Sequence, residues 1–278
     1  MKVDYRAKAL LEPLDFQGTN LRKMVLEAAS SAGRGHIGPA LSILEILRCL
    51  YNEILVHDPK KPDFELRDIF ILSKGHGALG LYAVLADCGY FHLDELETFC
   101  KFDSRLGGHP EWHTLPGIEF STGSLGHGLA VAVGIATAFA IKQQNHRRVY
   151  TLIGDGELAE GSIWESALHA NKHKLGNLCL IVDFNNMQAN GDLDSVLEIY
   201  DIPAKLTSFG FKVLEVNGHS ISELKTALDF NSNKNKPLAV IAHTIKGKGI
   251  RAAENSPEWH HKAKISKEEI SLLMGSLY

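Results

Sequence analysis

Two strand ends carry the residues best suited to chemistry. Gly154-Asp155-Gly156-Glu157 follows the apolar run Val149 to Ile153, and Asp183-Phe184-Asn185-Asn186 follows the run Leu178 to Val182. In an open parallel sheet the carboxyl ends of neighbouring strands meet in one crevice, where ligands bind. Asp155 and Asn185 therefore belong together despite the thirty residues between them. A carboxylate, an amide oxygen and a backbone carbonyl make a hard, all-oxygen donor set that suits Mg²⁺ or Ca²⁺ and does not suit zinc. Glycines on both sides of Asp155 let the backbone approach a phosphate, and the N-terminus of the following helix favours an anion. A divalent ion with a diphosphate is the natural occupant. The segment Gly154 to Ala159 also fits a loose dinucleotide pattern in the required strand-to-helix setting. That pattern places its acidic residue about 20 positions on and has no use for paired asparagines, whereas Asp183 lies 28 positions on. A plain tight turn is the bland alternative.

Histidine is the second chemical feature. The chain has 14 in 278 residues, and several stand beside glycine rather than on apolar helix faces. Imidazole titrates near neutral pH and both donates and accepts hydrogen bonds, so glycine-flanked histidines on turns suit a polar site. Taken singly, each is more often a turn residue. The four cysteines (Cys49, Cys88, Cys100, Cys179) show no metal or redox spacing and sit in apolar segments, where free cysteine behaves as a small hydrophobe.

The elements that must hold these residues follow from hydrophobic periodicity. Asn20 to Ser31 reads as an amphipathic helix ending at Gly33-Arg34-Gly35. A second helix is expected from Pro39 to about Ile54, with Leu41, Leu44, Leu47, Leu50 and Tyr51 as its apolar face. Strands are expected at Asp68 to Leu72, Val149 to Ile153, Leu178 to Phe184, Lys212 to Val216 and Leu238 to Thr244. Helices are expected at Ala78 to Cys88, Ser162 to His173 and Ile221 to Phe230. Near-continuous apolar strands alternating with helices imply parallel pairing. The fold class is α/β: a single doubly wound, mostly parallel sheet with helices on both faces, spanning 1–278. Its tail, 247–278, is loop-rich with a short helix from about Ser266.

Composition bounds the partners. A net charge of −4 and a pI near 6.4 argue against nucleic acid or an anionic membrane surface. The longest apolar run, Leu129 to Ile141, has 13 residues and ends at Lys142, too short for the roughly 20 of a membrane span. It reads as a buried helix. No charged start followed by an apolar stretch opens the chain, and the expected compartment is the cytoplasm.

Gly154-Asp155-Gly156 followed by Asn185-Asn186 resembles the signature of thiamine-diphosphate enzymes, and within them the transketolase family, from about residue 20 to 262. Gly35-His36-Ile37-Gly38, Leu72-Ser73-Lys74-Gly75-His76-Gly77, Gly108-His109-Pro110-Glu111 and Trp259-His260 resemble that family's histidine motifs in order. Thr122 to Gly128 resembles its thiamine-ring loop, and Glu160-Gly161 completes the Gly-Asp-Gly segment. The resemblance implies that Asp155, the Asn185 side chain and the Met187 carbonyl bind Mg²⁺, with Ca²⁺ as the other candidate. The register stays open by one, Asn186 with Gln188 being the alternative. It further implies that Gly154, Gly156 and Glu157 serve the diphosphate, and that Gly123 and Leu125 serve the aminopyrimidine side. Glu160 resembles a carboxylate at the interface between cofactor-binding domains. His36, His76, His109 and His260 would surround the thiazolium and the sugar hydroxyls, His76 touching cofactor as well. His57, His92, His146, His169, His173 and His219 read as structural or surface residues.

The activity implied is transfer of a two-carbon ketol unit from a ketose donor to an aldose acceptor, the substrates being sugar phosphates. Longer family members carry in a second half the glutamate that activates the cofactor's aminopyrimidine. The resemblance therefore implies the N-terminal subunit of a split transketolase, active only with a C-terminal partner subunit in an α2β2 assembly. Arg34, Ile37, His127 and His261 depart from the common family pattern, and Arg34 and His261 point to an unusual sugar. The alternatives are the α-subunit of a 2-oxoacid dehydrogenase, which lacks this histidine set, and a catalytically silent paralogue.

Overall fold

A computed structural model describes residues 3–189, 191–230 and 235–278. Five parallel strands form the central sheet: β1 (Ile69–Leu72), β2 (Val149–Gly154), β3 (Leu178–Phe184), β6 (Lys212–Asn217) and β7 (Leu238–His243). Their order is β1-β2-β3-β7-β6. A two-residue hairpin, β4 (Met187–Gln188) with β5 (Gly191–Asp192), follows β3.

The strand sequences explain why the sheet is covered on both sides. Successive side chains of a strand point to opposite faces. Phe70, Leu72, Cys179, Ile181, Leu238 and Val240 join one hydrophobic core, while Ile69, Ile71, Leu180, Val182, Ala239 and Ile241 join the other. The first core is completed by α2 (Phe16–Ala32), α3 (Ile37–Ser42), α4 (Leu44–Cys49), α5 (Ala78–Asp87) and α10 (Ile221–Leu228). The second is completed by α6 (His127–Ile141), α7 (Gly161–Lys172) and α9 (Ile202–Ser208). Helices α1 (Tyr5–Leu11), α8 (Leu193–Val196) and α11 (Lys267–Gly275) complete the set.

Two expectations are corrected. The helix expected from Pro39 to Ile54 is broken into α3 and α4 at Ile43 and ends in a wide turn over Leu50–Ile54. The break leaves Ser42 pointing inward, where its hydroxyl donates to Asp183 Oδ1 at 2.7 Å. The helix over Leu129 to Ile141 is only half buried. Leu129, Ala132, Val133, Ala136 and Phe139 face the sheet. Ala130, Gly134, Ala138 and Ile141 face outward and are exposed, because the chain packs only one side of this helix.

A buried ionic tie fixes the end of β7. Arg22 is fully buried and meets both oxygens of Glu45 at 2.7 and 3.1 Å and the Lys248 carbonyl at 2.7 Å. His219 Nε2 accepts from the Ile245 N–H at 2.9 Å, so its Nδ1 carries the proton and donates to Glu45 at 2.7 Å. Burial works against the Glu45 charge, but Arg22 and His219 outweigh it and hold the carboxyl well below its ordinary range. Ile245 is thereby anchored one residue before Lys246, which enters the site.

Candidate active site

The carboxyl ends of β1, β2, β3 and β7 open into one cavity of about 310 Å³. Gly154, Asp155, Gly156, Glu157, Asn185 and Met187 line it, together with Gly123, Leu125, His36, His76, His109 and His260. Of the residues singled out for cofactor, metal or catalysis, Glu160 lies outside, as does Asn186, the alternative metal ligand. Glu160 is exposed, at the N-cap of α7.

Asp155 is 2% exposed. Its carboxylate accepts the Gly156 N–H at 2.7 Å and the Asn186 N–H at 2.6 Å, which joins the β2 and β3 ends. Burial first, and then the nearby Asp183 carboxylate, push its pKa up to about 7. Asn185 is buried, and its Oδ1 accepts the Met187 N–H at 3.0 Å. Asn186 adopts a left-handed backbone (φ 62°) that asparagine tolerates, and its side chain does not line this cavity. The geometry thus favours Asn185 over Asn186 as a partner for Asp155.

Asp183, the acid that a dinucleotide reading would aim at a ribose, is fully buried and committed internally. It accepts from Lys74 Nζ at 2.5 Å, the Ser42 hydroxyl at 2.7 Å, the Asn185 amide at 3.0 Å and the Thr244 hydroxyl. Burial opposes its charge, yet Lys74 and the two hydroxyls hold its pKa below the ordinary value. The dinucleotide reading fails on this point.

Glu157 is buried and works as a clamp between loops. It accepts from Ser73, the Gly126 N–H at 2.8 Å and the Gly154 N–H at 3.3 Å. Gly126 is required there: its φ is 81°, and a Cβ would lie 2.5 Å from Ser162 Oγ.

The four histidines come from four separate segments and converge. His36 lies 5.9 Å from His76, 5.7 Å from His109 and 5.9 Å from His260 between ring centroids, and His76 lies 5.3 Å from His260. A pair of backbone hydrogen bonds of 3.0 Å between Gly35 and Lys262 locks the first motif to the last. Burial, followed by neighbouring cationic and imidazole groups, lowers His36 to about 4 and His260 to about 3, and pushes His76 well below its ordinary value. His109 is lowered in the same way. All four are neutral at physiological pH, able to donate or accept a proton.

The depressed values have a consequence for stability. Unfolded histidine titrates near 6.5, so below that pH the unfolded chain takes up protons that the folded site resists. The stability contributed is complete above pH 6.5 and falls as the pH drops toward about 4. Asp155, raised to about 7, acts with the opposite sign in the same window. The comparison is therefore between parent and His36→Asn/His260→Asn, whose urea midpoint should fall less between pH 7 and 5 (approximate settings). Equal slopes would remove the account of a buried, neutral cluster.

Two lysines in the cavity carry no signal of their own in the sequence. Lys74 stands inside the second histidine motif, where its type alone assigns it no role. Lys246 follows β7, so the rule that strand ends meet in one crevice applies to it as well. Its Nζ donates to the carbonyls of Met187 and Gln188 at 3.2 and 3.3 Å, and burial, then Lys74, lowers it to about 8. Arg6, on α1, donates to the Asn185 carbonyl at 2.9 Å and braces the same strand end. His57 and His219 are hydrogen-bonded within the fold, as read from the sequence. His127 is exposed and outside the cavity.

The cavity fits a diphosphate with a hard cation. Its carboxylate, amide and carbonyl oxygens come from adjacent strand ends, lysines flank them, and space beside Gly154 is open within 4 Å of a would-be Cβ. His260 Nδ1 and Gln188 Nε2 line the same cavity, are buried and have no hydrogen-bond partner among the described residues. Buried polar atoms of this kind call for a ligand.

Residues 17–277 match the transketolase thiamine diphosphate binding domain. The chain is 46% identical over 256 residues to one of the subunits of the apulose-4-phosphate transketolase of Actinobacillus succinogenes, covering 92% of each. It is 37% identical to the 6-deoxy-6-sulfo-D-fructose transketolase subunit SqwG of a Clostridium species, again covering 92% of each. A crystal structure of the Campylobacter jejuni transketolase superposes with a TM-score of 0.84 at 33% identity, over 99% of this chain and 43% of that one. With its strand ends, histidines and loops arranged in this way, the chain belongs to the transketolase family, as a thiamine diphosphate binding domain.

Proposed function

We propose that the chain is the cofactor-binding, N-terminal subunit of a two-chain transketolase that moves a two-carbon ketol unit from a ketose phosphate to an aldose acceptor. The observation that carries this reading is the single cavity uniting Asp155 and Asn185 with four neutral histidines. Relatives that are themselves named as transketolase subunits match this chain along nearly their whole length, which supports a separate partner. The partner proposed is a C-terminal transketolase subunit, in an α2β2 assembly. The outward apolar face of α6, with Ile141 77% exposed, supports association. Among the described residues no helix is long and apolar enough to cross a membrane, and a cytoplasmic setting suits the proposed sugar phosphates.

Thiamine diphosphate, when bound, supplies the electron sink that lets a carbon–carbon bond beside a carbonyl break and re-form. Asp155, Asn185 and the Met187 carbonyl would hold Mg²⁺, or Ca²⁺ in its place, against the diphosphate. Gly154 leaves room for the phosphate oxygens, Gly156 lets the Gln188 side chain pack beside it, and Lys246 adds positive charge. His76, His36 and His260 would donate hydrogen bonds to oxygens that gain charge as the bond breaks, and His109 would hold a terminal hydroxyl. Donors already fixed in a buried site stabilise such charge without reorganising, and removing one typically costs about 10² to 10³ in rate.

The test is calorimetric titration of thiamine diphosphate with Mg²⁺ into this chain, alone and mixed with a candidate C-terminal subunit. Tight binding in the mixture, followed by product formation from a ketose phosphate, is the expected result. Association of the two chains without cofactor binding would overturn the reading and favour a silent paralogue.

A further inference from the structure

Helix α1 lies before residues 17–277, which match the family domain, yet one of its side chains reaches the carboxyl end of β3. The helix is peripheral. Ala9 is its one buried residue, and it belongs to neither hydrophobic core. Separate ties hold the helix instead. Lys248 Nζ donates to the Leu10 carbonyl at 2.8 Å, and Tyr5 stacks on His243 at 5.3 Å between ring centroids. Just past the helix, Asn217 Nδ2 donates to Glu12 at 2.7 Å. A cavity of about 680 Å³, lined by Tyr5, Arg6, Phe184, Asn186, Glu215 and His243, lies between α1 and the ends of β3, β6 and β7. Helix α1 can therefore leave the sheet without opening either core.

Arg6 makes two contacts from this helix. Its Nη1 donates to the Asn185 carbonyl at 2.9 Å, and its Nη2 donates to the Asn255 side-chain oxygen at 3.1 Å. The Asn255 N–H donates in turn to the Lys246 carbonyl at 2.8 Å. The guanidinium thus joins the two segments that bring Asn185 and Lys246 to the active-site cavity.

The Asn185 carbonyl belongs to the same planar peptide group as the Asn186 N–H. That N–H donates to Asp155 Oδ2 at 2.6 Å. Arg6 and Asp155 therefore hold the two ends of one peptide. The bonds on either side of a peptide group are free to rotate, and Asn186 just beyond it has a left-handed backbone, φ 62°. A turn of this peptide would take its N–H off Asp155 and carry Asn185 with it. The guanidinium opposes that turn by fixing the carbonyl, and a cation on a carbonyl also polarises the attached N–H into a stronger donor. We infer that Arg6 is a positioning residue. Through the Asn185–Asn186 peptide it holds Asp155 and Asn185 in register, and the docking of α1 sets how tightly metal and diphosphate bind. The inference rests on the reading of Asp155 and Asn185 as the metal site.

The test first follows amide hydrogen exchange in the full chain by NMR, with no ligand present. The Asn186 amide should exchange at least about ten-fold faster in Arg6→Gln than in the parent, with Arg6→Lys between the two. The Asp155 amide, which donates to the Asp183 carbonyl at 3.2 Å, reports the β2–β3 ladder and should keep its parent rate. Lys8→Gln, which breaks an exposed pair between α1 and Glu223, should leave both amides as in the parent. In the assembled enzyme, affinity for Mn²⁺ with thiamine diphosphate, read from the Mn²⁺ EPR signal, should fall about ten-fold in Arg6→Gln and recover in part in Arg6→Lys. An Asn186 amide that keeps its rate, or an Asp155 amide that speeds up as much, overturns the inference. So does faster exchange with unchanged Mn²⁺ affinity. Failure of the metal reading would show separately, as an assembled parent that binds no Mn²⁺ with thiamine diphosphate while Arg6 still protects the Asn186 amide.

Discussion

Asp155→Ala should abolish ketol transfer by the assembled enzyme, by at least about 10³-fold, while barely changing the stability of the isolated chain. The carboxylate is 2% exposed and takes only two backbone N–H groups as donors. Its pKa is raised to about 7, so holding its charge costs free energy in the folded state. A carboxyl group raised in this way adds stability at low pH that is lost as the pH rises through about 7. Near pH 8, alanine therefore removes an uncompensated charge along with two hydrogen bonds, and the two effects offset to within about 1 kcal/mol. Ligand is where parent and variant should part. At 100 times Kd, a ligand bound only by the folded state stabilises by about 2.7 kcal/mol. Mg²⁺ with thiamine diphosphate should raise the Tm of the assembled parent and leave that of Asp155→Ala in place. A variant that keeps its ligand-dependent rise would take the metal away from Asp155.

Lys74→Met should be the most damaging single change to the fold, at about 3–5 kcal/mol. Its Nζ sits 2.5 Å from Asp183, and both side chains are buried. Removing the lysine leaves a carboxylate in the interior with only Ser42, Thr244 and Asn185 as donors. A buried pair is worth little against an apolar replacement, but half of one is costly. Lys74→Met/Asp183→Asn should accordingly be more stable than Lys74→Met, because the neutral amide keeps an acceptor without the charge. Urea denaturation of the parent, both single variants and the double variant measures the coupling. If Lys74→Met loses less than about 1 kcal/mol, Asp183 is not relying on that lysine. Activity should fall in every variant, since Asn185 is held in place by Asp183 at 3.0 Å.

The amino-acid sequence by itself determined the strands and which of their ends carry chemistry. β2 and β3 are near-continuous apolar runs that end in Gly154-Asp155 and Asp183-Phe184-Asn185, a pattern that suits strands buried on both faces of a parallel sheet. The crevice rule then places Asp155 beside Asn185 without knowledge of strand order. Only the tertiary structure decided matters that depend on distant segments. The order β1-β2-β3-β7-β6 brings Lys246 to the cavity from a strand far along the chain. The break at Ile43 follows no local propensity; it leaves Ser42 bonded to Asp183, 141 residues away. α6 is apolar on its buried and its exposed faces alike, so polarity within it does not show which side the chain leaves uncovered. The four histidine motifs were legible one by one. Their convergence comes from long-range contacts, such as the Gly35–Lys262 bridge, that no local pattern encodes.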